Sequence, residues 1–195
     1  FFCTGHRIAR FSVFIHSSLI FHTHFFIISL RNTFRLENTE IMKNLVIGQS
    51  GGPTAVINAS LYGAVKAFRE SGADGHVLGM INGIEGFLAD HVMDLSTDLS
   101  DKELELLKLT PAAYLGSCRY KLPADLDSEV YPAIFDNFRE MNIGYFLYVG
   151  GNDSMDTVDK LSRFAARTGS DVRFIGIPKT IDNDIYGTDV TFGFH

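Results

Sequence analysis

Tryptophan is absent from this 195-residue sequence, cysteine occurs only twice, and positive charge is in the minority. Cys3 and Cys118 stand far apart without the spacing of metal ligands, which is typical of a reducing, cytoplasmic setting. The 17 Lys and Arg residues against 23 Asp and Glu give a net charge of -6. This balance argues against nucleic acid or a membrane surface as the main partner. The length fits one domain, and 46% hydrophobic residues can build a sizeable core.

Residues 1–41 differ in composition from the rest of the chain. They hold 8 of the 17 phenylalanines, and their first acidic residue is Glu37. Residues 11–30 look like a signal or membrane segment, but three histidines and four serines interrupt the apolar run, so insertion would be unfavourable. We predict an unstructured extension over 1–41 and one domain over 42–195. A targeting segment and a real structural element are the alternatives for 1–41.

From residue 42 onward, short apolar runs alternate with stretches of helical periodicity. Near-continuous apolar strands separated by helices are typical of a parallel sheet with helices on both faces. The sequence therefore predicts an α/β fold. The predicted strands are 44–48, 76–80, 144–150 and 172–177, and the predicted helices are 54–71, 100–108, 128–142 and 154–168.

Two predicted strands end in a pair of glycines followed by a helix. In "GQSGGPT", Gly51 and Gly52 allow close approach of a ligand, and the next helix offers free N–H groups to an anion. In "VGGNDSMDT", Gly151 precedes Asp153 and Ser154 in the same arrangement. An Asp beside a bound phosphate needs a countercharge, which Mg²⁺ would supply. The alternatives are a tight strand-to-helix turn for the first loop and helix capping for the second.

The stretch "IGIPKTIDND" places Lys179, Thr180, Asp182 and Asp184 at the end of another strand. In an extended segment the two carboxylates point the same way. One can accept a proton from an attacking hydroxyl while the other orients the site or holds metal. Lys179 can neutralise charge on a transferring phosphoryl group. A solvated polar loop is the alternative.

Two further stretches follow strands or glycines. In "LGSCRYKL", Arg119 has a guanidinium suited to phosphate oxygens, and a surface arginine is the alternative. Cys118 lacks a nearby histidine, and we interpret it as a packing residue. "GMINGIEGFL", residues 79–88, is predicted to be a glycine-punctuated loop.

The motifs "GQSGGPTAVINA", "NGIEGF", "LGSCRY", "GGNDSMDT" and "PKTIDNDIYGTDVTFGF" together resemble the phosphofructokinase family over residues 43–195. The resemblance implies a Rossmann-like subdomain, Mg²⁺, and phosphoryl transfer to the 1-hydroxyl of fructose 6-phosphate. By the same resemblance, Asp182 is the catalytic base, Thr180 contacts the substrate near the transferred group, and Asp184 is the second acid of the loop. The positions that match the phosphoryl-donor site are Gly51, Gly52, Arg119, Gly151, Asp153 and Ser154.

The resemblance also addresses the donor and the metal. Asp153 and Lys179 stand where ATP-using relatives have glycine, and this pair looks like the pyrophosphate-dependent branch. A carboxylate at 153 excludes the α-phosphate of a nucleotide, and an ammonium at 179 compensates the charge of a small leaving phosphate. Asn152 stands where many relatives carry a metal-binding Asp, so the predicted metal residues are Asn152 and Asp153.

Two other functions stay open at this point. An ATP-dependent phosphofructokinase is the first, and a comparison of donors would separate it. An inactive fragment or a non-catalytic phosphate-binding polypeptide is the second. The family unit continues beyond His195 into a second subdomain, so we expect a truncated, inactive N-terminal part of an enzyme that forms a homo-oligomer, a dimer or tetramer, when complete.

Overall fold

A computed structural model describes residues 43–111, 113–185 and 189–194 of the chain. The predicted extension over 1–41 and its Cys3 lie outside the described residues. The strands of the sheet are β1 (Asn44–Gln49), β2 (Val77–Met80), β3 (Val92–Asp94), β4 (Ile143–Gly150) and β5 (Arg173–Pro178). The helices are α1 (Ala55–Ser71), α2 (Gly83–Leu88), α3 (Asp101–Leu106), α4 (Val130–Glu140) and α5 (Asn152–Thr168).

The five strands form one sheet in the order β3-β2-β1-β4-β5. The strands β2, β1, β4 and β5 are parallel, which confirms the predicted parallel sheet. At the β2 edge, β3 adds an antiparallel strand that we did not predict. It has only three residues, all half-buried, and so short a run carries no usable periodicity.

The long helices begin and end where the sequence predicts, within two residues. The helices α1 and α5 are followed by Gly72 and Gly169 in the left-handed conformation, with φ of 75° and 71°, which glycine adopts at little cost. A capping box of Ser100 and Glu103 begins α3. The loop predicted over 79–88 is wrong in part, because residues 83–88 form α2.

Helices cover both faces of the sheet, as the apolar strands predict. All eight residues of β4 are buried. Along β1, Leu45 and Ile47 pack with α1 and α3 on one face. Val46 packs with the aromatic side chains of α4 and α5 on the other face. No helix within residues 43–111, 113–185 and 189–194 is long and apolar enough to cross a membrane.

The strand order determines where a ligand can bind. From β1 the chain passes to β2 on one side, and β4 pairs with β1 on the other side. Loops that leave β1 and β4 therefore diverge to opposite sides and open a crevice at the carboxyl ends of these strands. The two glycine-rich stretches predicted from the sequence follow β1 and β4 at these ends, and the stretch that holds Lys179 and Asp182 follows β5.

Candidate active site

The loops that follow β1, β4 and β5 meet at the carboxyl edge of the sheet. A Cβ placed on Gly51 would lie 3.7 Å from the Gly151 nitrogen, and one on Gly151 would lie 3.5 Å from the Lys179 carbonyl oxygen. Gly51 has a φ of 76°, which a residue with a side chain adopts only under strain. The backbones of three of the predicted stretches therefore meet in one surface.

Lys179 lies beneath this surface with only 4% of its area exposed. Its Nζ donates a hydrogen bond to the Gly52 carbonyl oxygen, and its backbone N–H donates to the Gly150 oxygen at 2.8 Å. Burial lowers the pKa of Lys179, and the nearby negative charge of Asp182 acts in the opposite direction. The hydrogen bond of the Lys179 ammonium goes to a backbone carbonyl and not to a carboxylate. Its charge is thus directed at the glycine turn rather than at a neighbouring carboxylate.

Thr54, which begins α1, adds a hydroxyl beside the lysine. A Cβ on Gly193 would lie 3.4 Å from Thr54 Oγ1 and 3.3 Å from Lys179 Cγ. Thr54 Oγ1 is buried and has no hydrogen-bond partner among residues 43–111, 113–185 and 189–194. Because a buried polar atom without a partner is costly, this hydroxyl is available to a ligand at the turn.

The segment after Lys179 is held by its own backbone. The Thr180 N–H donates to the Phe192 oxygen at 3.0 Å, and the Asp182 N–H donates to Thr180 Oγ1 at 3.1 Å. Asn183 has a φ of 53°, so the segment is not extended. The expectation that Asp182 and Asp184 point the same way rested on an extended backbone and is wrong. Both residues are nevertheless exposed.

The polar residues at the start of α5 divide into two environments. Ser154 is 2% exposed and packs under Gly150, where a Cβ would lie 2.1 Å from Ser154 Oγ. Asn152 and Asp153 are exposed. No side chain caps this helix, whose N-cap is Gly151, so capping does not explain these residues.

The partners of Asn152 and Asp153 bear on the predicted metal site. Asn152 Nδ2 donates to Asp184 Oδ2 at 2.7 Å, and Asp153 Oδ1 lies 3.0 Å from Lys121 Nζ. The Asn152 amide offers a cation only its neutral Oδ1, because its Nδ2 is bonded to Asp184, and the Asp153 carboxylate already has a cationic partner. As placed, the two residues do not offer Mg²⁺ a pair of free carboxylates, and they do not fit the metal.

Arg119 is exposed, and the residues before it attach its segment to the glycine turn. Ser117 Oγ donates to the Gly51 oxygen at 2.6 Å, and the Gly51 N–H donates to the Cys118 oxygen at 3.2 Å. Cys118 is buried at 7% exposure, with its Sγ 3.6 Å from the Tyr148 hydroxyl. The packing role predicted for Cys118 is confirmed.

Two buried amides that we did not predict position this segment. Gln49 and Asn58 have no exposed area, and Gln49 Nε2 donates to Asn58 Oδ1 at 3.0 Å. Their oxygens accept the backbone N–H groups of Leu115 at 2.9 Å and Tyr114 at 2.8 Å. The available signal was a polar residue inside an apolar strand and another on the apolar face of α1.

Residues 44–195 match the phosphofructokinase family, and the chain belongs to that family. The pyrophosphate–fructose 6-phosphate 1-phosphotransferase of Rhodospirillum rubrum is 43% identical over 150 residues, which are 77% of this chain and 36% of the relative. The protein of the same name from Halomonas elongata is 42% identical over 154 residues. Relatives named as ATP-dependent 6-phosphofructokinases are 30% to 34% identical.

Solved structures agree with this assignment. The pyrophosphate-dependent phosphofructokinase of Nitrosospira multiformis has a TM-score of 0.73 and 41% identity, and the match covers 79% of this chain and 38% of that one. The chain thus spans little more than a third of the length of the relatives it resembles.

Proposed function

We propose that this chain is the phosphoryl-donor part of an enzyme that phosphorylates fructose 6-phosphate from pyrophosphate, in cytoplasmic glycolysis. The observation that carries the proposal is the buried ammonium of Lys179 at the two-glycine turn. A pyrophosphate bound there would present its leaving phosphate to a fixed positive charge. Such a charge stabilises the transition state most when negative charge builds on the leaving group.

Asp153 supports the choice of donor. Its exposed carboxylate lies at the first turn of α5, beside the same crevice. Pyrophosphate ends where ATP continues into an α-phosphate and a nucleoside. A negative side chain at this point repels that additional phosphate, whereas the smaller donor does not reach it.

The reaction assigns one role to each polar residue of the crevice. Asp182 accepts the proton of the sugar 1-hydroxyl, whose oxygen attacks the nearer phosphorus of pyrophosphate. The bond to the bridging oxygen breaks, and inorganic phosphate leaves beside Lys179. Thr180 and Asp184 hold the loop that carries the base, and Arg119 contacts the donor from the rim. The backbone of Gly51, Gly52 and Gly151 forms the donor-binding surface.

Three parts of the proposal concern the complete enzyme: the site for the sugar phosphate, the use of a metal and the assembly into an oligomer. The remaining two thirds of the enzyme would supply most of the site for fructose 6-phosphate. Phosphofructokinases generally use Mg²⁺, which stabilises the charge of phosphate oxygens. We propose a domain over 42–195 that joins a second subdomain, in an enzyme that forms a homo-oligomer.

A comparison of donors tests the proposal. Because a complete enzyme is needed, residues 43–195 would replace the matching part of the Rhodospirillum rubrum relative, with that unmodified relative as the reference. The hybrid is expected to have a higher kcat/KM with pyrophosphate than with ATP. Lys179→Gly should reduce mainly the pyrophosphate value, and Asp153→Gly should raise the ATP value.

The control is a change that does not select between donors. Asp182→Asn keeps the size of the side chain and removes the proton acceptor, so turnover should fall about 10²–10⁴-fold with either donor. A hybrid that prefers ATP would contradict the proposal. So would an Asp153→Gly hybrid that keeps full pyrophosphate activity and gains none with ATP.

A further inference from the structure

The hydrogen bond between Asn152 and Asp184 joins two of the three loops of the site. Asn152 lies at the first position of α5, and Asp184 lies in the segment after β5. The two residues are 32 positions apart in sequence, and their side chains meet at 2.7 Å. This contact fixes the segment that carries Asp182 against the start of α5.

The chemistry of the pair determines what else can bind there. An amide can donate to a carboxylate directly, so the contact is attractive without any third group. Two carboxylates at the same separation would repel each other unless a proton or a cation lay between them. Mg²⁺ is the kind of ion that bridges two carboxylates and phosphate oxygens.

The other acidic residue of this helix start does not replace the missing ligand. Asp153 Oδ1 is 3.0 Å from Lys121 Nζ, and both side chains are more than half exposed. Within the described residues, no group of three or more His, Cys, Asp or Glu side chains has the arrangement of a metal site. The loops around the crevice are thus joined by the Asn152–Asp184 hydrogen bond and the Lys121–Asp153 ion pair.

We infer that Asn152 is a positioning residue. Its hydrogen bond to Asp184 makes the link between the start of α5 and the Asp182 segment that a bridging cation would otherwise make. The amide closes the α5 start onto the Asp182 segment without metal. It also leaves Asp184 without a second carboxylate at position 152, so a divalent cation has no carboxylate pair to bridge at this contact. This inference rests on the proposed function only in taking pyrophosphate as the donor. A cation used in the reaction would be bound mainly through the oxygens of that donor.

The test uses the chain as it is and needs no turnover. Asn152→Asp places two carboxylates together, so in EDTA the melting temperature should fall by about 2–4 °C. Mg²⁺ or Mn²⁺ should restore it, and the affinity for Mn²⁺, measured by calorimetry, should rise at least about tenfold over the unmodified chain. The unmodified chain should melt at the same temperature with and without Mg²⁺.

A matched control exchanges the two side chains. The double variant Asn152→Asp, Asp184→Asn restores an amide–carboxylate pair with the same total charge as the unmodified chain. It should regain the melting temperature in EDTA and show no gain in Mn²⁺ affinity. Its behaviour separates a bridging site from general attraction of cations to an acidic protein.

Three results would overturn the inference. The first is an Asn152→Asp variant that binds Mn²⁺ no better than the unmodified chain. The second is an unmodified chain that Mg²⁺ alone stabilises by several degrees. If Asn152→Asp fails to fold, Asn152→Ala replaces it, and recovery of its melting temperature with Mg²⁺ is the third contradictory result. Each result leaves the donor comparison in the hybrid enzyme unaffected, so the two proposals can fail separately.

Discussion

At the scale of single residues, Lys179 is where sequence and structure agree most closely. The sequence places a lysine directly after an apolar strand, and the structure buries it with its Nζ at the Gly52 carbonyl. Burying an ammonium without a carboxylate partner costs free energy. A structural role would be served better by an apolar side chain, so the cost is understandable if the charge binds an anion.

Because the pKa of Lys179 is lowered, the free energy of unfolding should change with pH in a known direction. The folded-state pKa lies below the ordinary 10.5, so between these two values the unfolded chain binds more protons. The free energy of unfolding should therefore rise with pH in that window. Relative to Lys179→Met, the unmodified chain should become more stable as pH rises from neutral toward 10.5, as measured by urea denaturation.

Lys66 provides the comparison for this experiment. The Tyr62 hydroxyl, the largest influence, and Glu105 raise the pKa of Lys66 in the folded state, so Lys66 stays protonated in both states from neutral pH to about 9. The stability difference between the unmodified chain and Lys66→Met should be constant there. A constant difference for Lys179→Met as well would mean that the lysine is not destabilised by burial.

At the scale of elements, the contribution of α2 to the site depends on its glycines. A Cβ on Gly83 would lie 2.8 Å from both Cys118 Sγ and the Tyr148 hydroxyl. The Ile84 N–H donates to that same hydroxyl at 3.2 Å. The helix can therefore pack against β4 and the Cys118 segment only because its first residue lacks a side chain.

Gly86→Ala tests how strongly α2 is constrained. The new Cβ would lie 1.7 Å from the Ile81 carbonyl oxygen, a backbone atom that cannot turn away. We expect a loss of about 3 kcal/mol in the free energy of unfolding and a melting temperature lower by about 6–12 °C. Glu85→Ala changes an exposed neighbour in the same helix and should melt within about 2 °C of the unmodified chain. Equal melting temperatures for the two variants would refute the packing argument.

The elements also show what a sequence can predict in this fold. The strand β4 and the helix α5 are long and regular in pattern, and they were predicted within two residues. The helix α2 was missed because two glycines in six residues oppose helix formation, and tertiary packing decides its conformation. The Asn152–Asp184 contact was missed because nothing in local spacing indicates that these residues meet. The backbone at Asn183 was misjudged for the same reason, since its side chain binds the backbone of Asp189 and Thr191.

At the scale of the whole molecule, the site lies at the carboxyl ends of the strands, and β1 begins at the opposite end of the sheet. The strand β1 is central, between β2 and β4. Its carboxyl end leads into the glycine turn, and its amino end follows Lys43, which pairs with Asp171. Both hydrophobic clusters are built from residues 45–177. Within the described residues, these clusters cover both faces of the sheet.

A chain that begins at Met42 should keep the stability of the longer one. The reason is that the described residues 45–177 already form two hydrophobic clusters, and the amino end of β1 is remote from the site. We expect the same far-ultraviolet circular dichroism per folded residue and a melting temperature within about 2 °C. A chain that begins at Ile47 is the control, because it removes half of the central strand and should lose cooperative unfolding. If the Met42 chain instead melts several degrees lower, residues 1–41 pack against the domain, and the predicted boundary between an unstructured extension and the domain is wrong.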